Sequence, residues 1–254
     1  MNFMSQLLTT PITYQPLWLI LFTFIYFVLS YTLSSTNFLL RLMKSFPTLL
    51  HEFGHAFMCL LTGGNVKDIV IVLSHREQIA TQRLGYAETL MTGRFNQFAT
   101  MIAGYLFPPL YLLLGYHALI HQFTTIYLVL LFLVFLFYFI KTSRKLFPGL
   151  LIVLTVAAIY FITQHLNQNF SAIFIYGYHF LLSTLLADTI LTSMMIIRVY
   201  LSRNQTWDGA LLKQVTKIPA FIYALLFIIV NLYTCYIIIK PIIRTWFYDD
   251  GFYF

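Results

Sequence analysis

Residues 126–140 read IYLVLLFLVFLFYFI, an unbroken apolar and aromatic run without a charged residue, a glycine or a proline. Over the whole chain of 254 residues, 60% are hydrophobic and only 9% are charged. A soluble domain usually carries about a quarter charged residues. Apolar blocks of about 20 residues are long enough to cross a hydrocarbon core of about 30 Å. The composition therefore predicts a protein that is embedded in a lipid bilayer.

Further apolar blocks lie on both sides of this run. Together with 126–140, the candidate spans are 17–36, 39–63, 95–116, 147–164, 173–197 and 218–239. No linker of biased composition divides them and no fixed-period repeat relates them, which favours one membrane-embedded domain over 1–254. Arg41 and Lys44, near the start of 39–63, leave open whether that segment crosses the membrane or re-enters it. We expect an all-α polytopic membrane protein with six or seven transmembrane helices.

The longest polar stretch, 64–94, interrupts this helical pattern. Val66 to Leu73 has the composition of a β-strand, Ser74 to Glu77 that of a turn, and Ile79 to Tyr86 that of a return strand. The sequence therefore predicts a small β-hairpin directly after the span 39–63.

The net charge of +7 comes mainly from short loops between the apolar blocks. Basic residues concentrate in 64–94, 141–145 and 198–217, whereas 117–125 and 165–172 contain neither Lys nor Arg. The positive-inside rule accounts for this alternation and places the three basic loops in the cytoplasm, with the protein in the plasma membrane. Since the rule explains the charge, we expect no nucleic-acid partner.

The stretch His51-Glu52-Phe53-Gly54-His55 lies inside the span 39–63 and carries chemistry. On a helix, two histidines four residues apart lie on one face, about 6 Å from each other, where both can bind one zinc ion. The intervening Glu52 can act as the general base towards water. A chance match on an ordinary helix is disfavoured, because ionisable residues within a membrane segment are costly and usually functional.

The stretch Leu50 to Ala56, followed by Leu61-Thr62-Gly63-Gly64 and a strand-like run, resembles the site-2 protease family of intramembrane metalloproteases. More narrowly, Ala103 to Leu106 and Trp207 to Ala210 are similar to segments of its small bacterial and plant branch. The resemblance implies a zinc-dependent intramembrane endopeptidase with one zinc ion and a membrane protein as its substrate. It also implies that the hairpin holds an extended substrate segment by β-addition.

A catalytic zinc needs a third protein ligand, which in this family is an aspartate on a later membrane helix. Asp188 and Asp208 compete for this position. Asp188 lies about 15 Å from the basic end of its span, close to the depth of the two histidines, and this agreement makes it the preferred candidate. Asp208 belongs to a Trp-Asp-Gly stretch similar to the family's Leu-Asp-Gly, but reaches the histidines only if its loop folds back into the membrane.

Two other classes of function compete with the protease. A membrane chaperone or scaffold of the same fold needs no general base, so Glu52 argues against it. A transporter with Asp188 on an ion path explains the intramembrane charge, but not the spacing of His51 and His55 around a glutamate. A di-iron oxidase needs several histidine clusters, of which the sequence has one.

Overall fold

The computed structural model describes residues 12–34, 37–164, 168–203 and 205–247. These residues form helices connected by short loops, with one two-stranded sheet. In chain order the elements are α1 (Pro16–Thr32), α2 (Phe38–Leu61), β1 (Asn65–Ile71), α3 (His75–Thr81), β2 (Gly85–Leu90), α4 (Arg94–Ile120), α5 (Thr124–Lys141), α6 (Leu146–Gln164), α7 (Gln168–Leu201), α8 (Asp208–Thr216) and α9 (Ala220–Phe247).

Six helices of the described residues are apolar in the manner of membrane spans. Four are long enough to cross a bilayer, namely α4, α5, Ala172–Leu201 of α7 and Ala220–Arg244 of α9, and two shorter ones are Pro16–Thr32 and Leu146–Ile162. Helix α2 does not belong to this set, because its basic residues, histidines and glutamate make it more polar. The predicted all-α polytopic membrane fold is confirmed.

The sheet is the antiparallel pair β1–β2, with a register that runs from Asn65 opposite Leu90 to Ile71 opposite Gly85. The predicted first strand agrees with β1, but the predicted return strand, Ile79 to Tyr86, is wrong. Its first three residues lie in α3 and the next three in the loop that follows, and the strand begins only at Gly85. The expected turn at Ser74 instead starts this helix, since the Gln78 N–H donates to the Ser74 carbonyl at 3.0 Å.

Helix α2 packs chiefly against α4, and the two backbones approach closely at Gly54. A β-carbon on Gly54 would lie 2.7 Å from the Ala103 carbonyl oxygen and 2.8 Å from the Phe107 β-carbon. Small residues allow this kind of close contact between membrane helices. The glycine inside the His-Glu-x-x-His motif therefore sets the distance between α2 and α4.

The carboxyl end of α2 is held by the buried Asn96 at the start of α4. Its amide nitrogen donates to the Cys59 carbonyl at 2.8 Å and to the Thr62 hydroxyl at 2.6 Å. Gly63 follows in the left-handed region, with φ of 88°, and ends the helix. These contacts fix the end of α2 two turns after His55.

Prolines lie inside three of the long helices. Pro47 is in α2, Pro108 and Pro109 are in α4, and Pro241 is in α9. Pro241 lies beyond the last candidate span, 218–239, but inside the helix, because α9 continues to Phe247. Each internal proline removes the N–H that would bond to the carbonyl four residues earlier, and in α4 this bears on the metal centre.

Candidate metal centre

Three side chains from two distant parts of the chain meet beside the motif. His51 Nε2 and His55 Nε2 lie 3.0 Å apart, and Asp208 Oδ2 lies 3.6 Å from the first and 3.4 Å from the second. Among the described residues, this is the group of three or more His, Cys, Asp or Glu side chains that is close enough to hold a metal ion.

The spacing of these three atoms fits zinc. Tetrahedral zinc with bonds of about 2.0–2.1 Å places its ligand atoms about 3.3 Å from one another, and the observed separations of 3.0, 3.4 and 3.6 Å lie around that value. Two imidazole nitrogens and one carboxylate oxygen are also ligand types that zinc prefers. The exposed side-chain fractions of 26% for His51, 12% for His55 and 21% for Asp208 leave the group accessible from one side.

The ring of His55 is fixed by α4. Its Nδ1 lies 2.7 Å from the Thr100 carbonyl oxygen, so a proton on Nδ1 leaves Nε2 free as a metal ligand. The ring also lies against Gly104, where a β-carbon would overlap it. Gly104 is therefore required for space rather than for backbone freedom.

The ring of His51 is held by the same helix. It is hydrogen-bonded to the backbone of Gly104, and the edge of its ring contacts Tyr105 with centroids 4.9 Å apart. In a regular helix the Gly104 carbonyl would accept the N–H of residue 108, but that residue is Pro108. The proline thus leaves the Gly104 carbonyl available to His51.

Asp208 reaches the histidines because the segment after α7 folds back against the bundle. Trp207 is buried in a cluster with Met101 and Tyr105 of α4 and Phe227 of α9. A β-carbon on Gly209 would overlap the Trp207 ring, so the small residue lets the indole lie beside the chain. Burial of the tryptophan brings the neighbouring aspartate to the end of α8 that faces His51 and His55.

The structure does not bring Asp188 to this group of three side chains, although the sequence favoured Asp188 as the third ligand. Asp188 lies on α7 and accepts a hydrogen bond from Thr192 at 3.2 Å. Depth along a helix does not determine which helix is adjacent, and α2 packs chiefly against α4 rather than α7. Asp188 nevertheless lines the same cavity as His51 and Glu52.

Glu52 is buried, with 8% of its surface exposed, and lines a cavity of about 380 Å³ with His51. Its carboxylate is hydrogen-bonded to the Ala87 backbone of β2, so the sheet contributes directly to the surroundings of this residue. Another part of the cavity wall is formed by Gln82 to Leu84, the loop between α3 and β2, and by Gly85 at the start of β2.

The sequence alone assigned no positioning role to four residues of α4, although Gly104 lies in the stretch that resembles the family: Asn96, Thr100, Gly104 and Pro108. The first three recur every four residues, on the face that meets α2. That spacing was visible in the sequence. However, Thr100 acts through its backbone carbonyl, Gly104 through the lack of a β-carbon and Pro108 through the lack of an N–H. None of these features can be recognised from a chemically active side chain in the sequence.

Comparisons with known proteins identify the family of the chain. The profile of a family described as Peptidase M50B-like matches residues 17–238. That range contains the motif, the sheet and Asp208. No curated protein and no solved structure matches the chain. Since the match covers most of the sequence, the chain belongs to the Peptidase M50B-like family and so to the site-2 proteases, a family of intramembrane zinc metallopeptidases.

Proposed function

We propose that this protein is a zinc-dependent intramembrane endopeptidase that cuts a membrane-spanning or membrane-proximal segment of another membrane protein. Its zinc ligands are His51, His55 and Asp208, and its general base is Glu52. The observation that carries the proposal is the set of separations from 3.0 to 3.6 Å among three ligand atoms, beside a buried glutamate that shares a cavity with His51.

The chain's own residues account for the proton transfers of peptide hydrolysis. The chemistry that zinc supplies when bound is polarisation of a carbonyl and acidification of a water molecule. Glu52 takes the proton from the attacking water as the new carbon–oxygen bond forms. It then gives this proton to the amide nitrogen as the carbon–nitrogen bond breaks. Thr100 and Gly104 hold the two imidazoles in place throughout.

The sheet gives the substrate a place to bind in an extended form. A membrane helix hides its peptide bonds in internal hydrogen bonds, so it must unwind locally before it can be cut. Strand β2 lies beside Glu52, and Gly85 at its start packs against Thr48 of α2. A substrate strand that pairs with this sheet would lie next to the general base.

Cleavage by the purified protein tests the function, with Glu52→Gln as the decisive variant. The substitution keeps the size of the side chain but removes the base, so zinc should stay bound while cleavage falls by at least about a hundredfold. The scaffold alternative predicts that Glu52→Gln has no effect on the biological activity. A flux assay that is insensitive to zinc chelation would instead support a transporter.

We further propose that the protein resides in the plasma membrane with its basic loops in the cytoplasm. The support is the alternation of basic loops with loops that lack Lys and Arg. In that orientation the sheet and Asp208 lie towards the cytoplasmic side.

A further inference from the structure

A second carboxyl group lines the cavity that contains Glu52. Helix α2 contributes His51 and Glu52 to this cavity of about 380 Å³, and α7 contributes Asp188, Thr189 and Thr192. Asp188 lies outside the group that can hold a metal ion. The proposed hydrolysis therefore leaves this carboxyl group without a role.

Asp188 has few partners within the chain. Among the described residues, its one hydrogen-bond donor is the Thr192 hydroxyl at 3.2 Å, one turn further along the same helix. Lys44 of α2 attracts it electrostatically, but the ion pairs of the described residues do not include Asp188. A carboxylate in an apolar span is costly unless a donor or a cation compensates it.

The other polar groups on this wall are already paired. The Thr189 hydroxyl donates to the Leu185 carbonyl at 2.7 Å, and the Asn231 amide donates to the Ser193 hydroxyl at 3.1 Å. Among the described residues, Asp188 is therefore the negatively charged acceptor that α7 and α9 contribute to this cavity.

The negative charge of Asp188 favours a cation as its partner, and the cation in the cavity lining is directed elsewhere. Arg83, which lines the cavity, attracts Glu52 and Asp208 at the metal centre. An arriving Lys or Arg side chain could lay its apolar stem along Pro47 and Pro108, which also line the cavity, and place its charge at Asp188.

We propose that Asp188 is a specificity-determining residue, which binds a lysine or arginine side chain of the substrate close to the bond that is cut. This rests on the proposed endopeptidase function. The substrate class is thus a membrane segment that carries a basic residue at a fixed distance from its cleavage site.

The test uses synthetic membrane-spanning peptides on one alanine–leucine background. Each peptide carries one test residue, which is Lys, Gln or Leu, and the set of peptides places this residue at successive positions along the segment. Purified zinc-loaded protein in detergent cuts them, and mass spectrometry gives the bond and the rate. The wild type should cut peptides with Lys at one distance from the bond about tenfold faster than their Gln counterparts.

Asp188→Asn should remove this preference, so that Lys and Gln peptides are cut at equal rates, and asparagine keeps an oxygen for the Thr192 hydroxyl. Glu88→Gln, which removes the same charge from an exposed position of β2, should keep the preference. A preference that is absent from the wild type, or unchanged in Asp188→Asn, would overturn the inference and leave the proposed function standing. Cleavage of no peptide by the wild type would overturn both.

Discussion

At the scale of single residues, the candidate metal centre depends on a missing side chain in α4 as much as on its proposed ligands. The proposed ligands His51 and His55 are recognisable from their spacing alone, because any helix places residues i and i+4 on one face. Their orientation depends on Gly104, which offers the space for one ring and the carbonyl for the other. A side chain at that position has no room.

Gly104→Ala tests this dependence. Alanine is the better helix former, so the helical content by circular dichroism should be unchanged. Zinc content by mass spectrometry should nevertheless fall well below one ion per chain, since the new β-carbon displaces the His55 ring.

The matched control is Gly177→Ala on α7, where a β-carbon meets nothing within 4 Å. It should keep its zinc. Full zinc content in Gly104→Ala would show that the ring tolerates the displacement and that the steric explanation is wrong.

At the scale of secondary-structure elements, the long apolar helices and their order could be predicted, the sheet only in part, and the short helices α3 and α8 not at all. Apolar blocks define the spans, whereas the second strand depends on contacts that local composition does not encode. Ile79 to Thr81 has a strand-like composition, yet it forms part of α3. Glu77 of this helix pairs with Arg144 from the loop between α5 and α6. Similarly, the sequence offers Asp188 by its depth and Asp208 by its local pattern as the third ligand. The burial of Trp207 is what brings Asp208 to the histidines.

Pro108 gives a prediction about α4. Pro108→Ala restores an N–H that competes with His51 for the Gly104 carbonyl, so zinc affinity should fall about tenfold, as for other residues that orient metal ligands. Competition with a fluorescent chelator measures this affinity. Pro109→Ala is the control, because its N–H would bond to the Tyr105 carbonyl instead. Equal affinity in both variants would contradict the role given to Pro108.

The sheet and α3 are fastened to the loop between α5 and α6. Arg144 donates two hydrogen bonds to Glu77, at 2.6 and 2.7 Å, and Ser143 donates two to Asp68, at 2.8 and 2.6 Å. These hydrogen bonds from the Arg144 guanidinium lower the pKa of Glu77 below its ordinary value. A carboxyl group with a lowered folded-state pKa stabilises the fold above its unfolded pKa, and this contribution is lost as the pH falls through the folded value.

Arg144→Gln should therefore accelerate amide hydrogen exchange in α3 at neutral pH. The difference from the wild type should disappear once the pH is below the lowered pKa of Glu77, because both proteins then lack the ion pair. Lys141→Gln, which removes a neighbouring cation, should exchange as the wild type does. A difference that persists in acid would mean that Arg144 acts through something other than Glu77.

At the scale of the whole molecule, the proposed orientation makes a prediction about which loops are accessible. Arg76 lies in α3, which connects β1 and β2 before α4, and Gln122 lies between α4 and α5. The two residues lie on opposite sides of the membrane when α4 crosses it. Cys59 and Cys235 are buried, so the native thiols should give little background. With a membrane-impermeant thiol reagent on intact cells, Gln122→Cys should be labelled and Arg76→Cys should be protected until the membrane is opened. The reverse pattern would invert the orientation.

The central claim is that three side chains, His51, His55 and Asp208, hold one zinc ion beside Glu52. Metal content by mass spectrometry on detergent-purified protein tests it most directly, for the wild type, His51→Ala, Asp208→Asn and Asp188→Asn. We expect close to one zinc per chain in the wild type and in Asp188→Asn, and a large loss in His51→Ala and Asp208→Asn. A wild type without zinc, or zinc that is lost in Asp188→Asn and kept in Asp208→Asn, would contradict it.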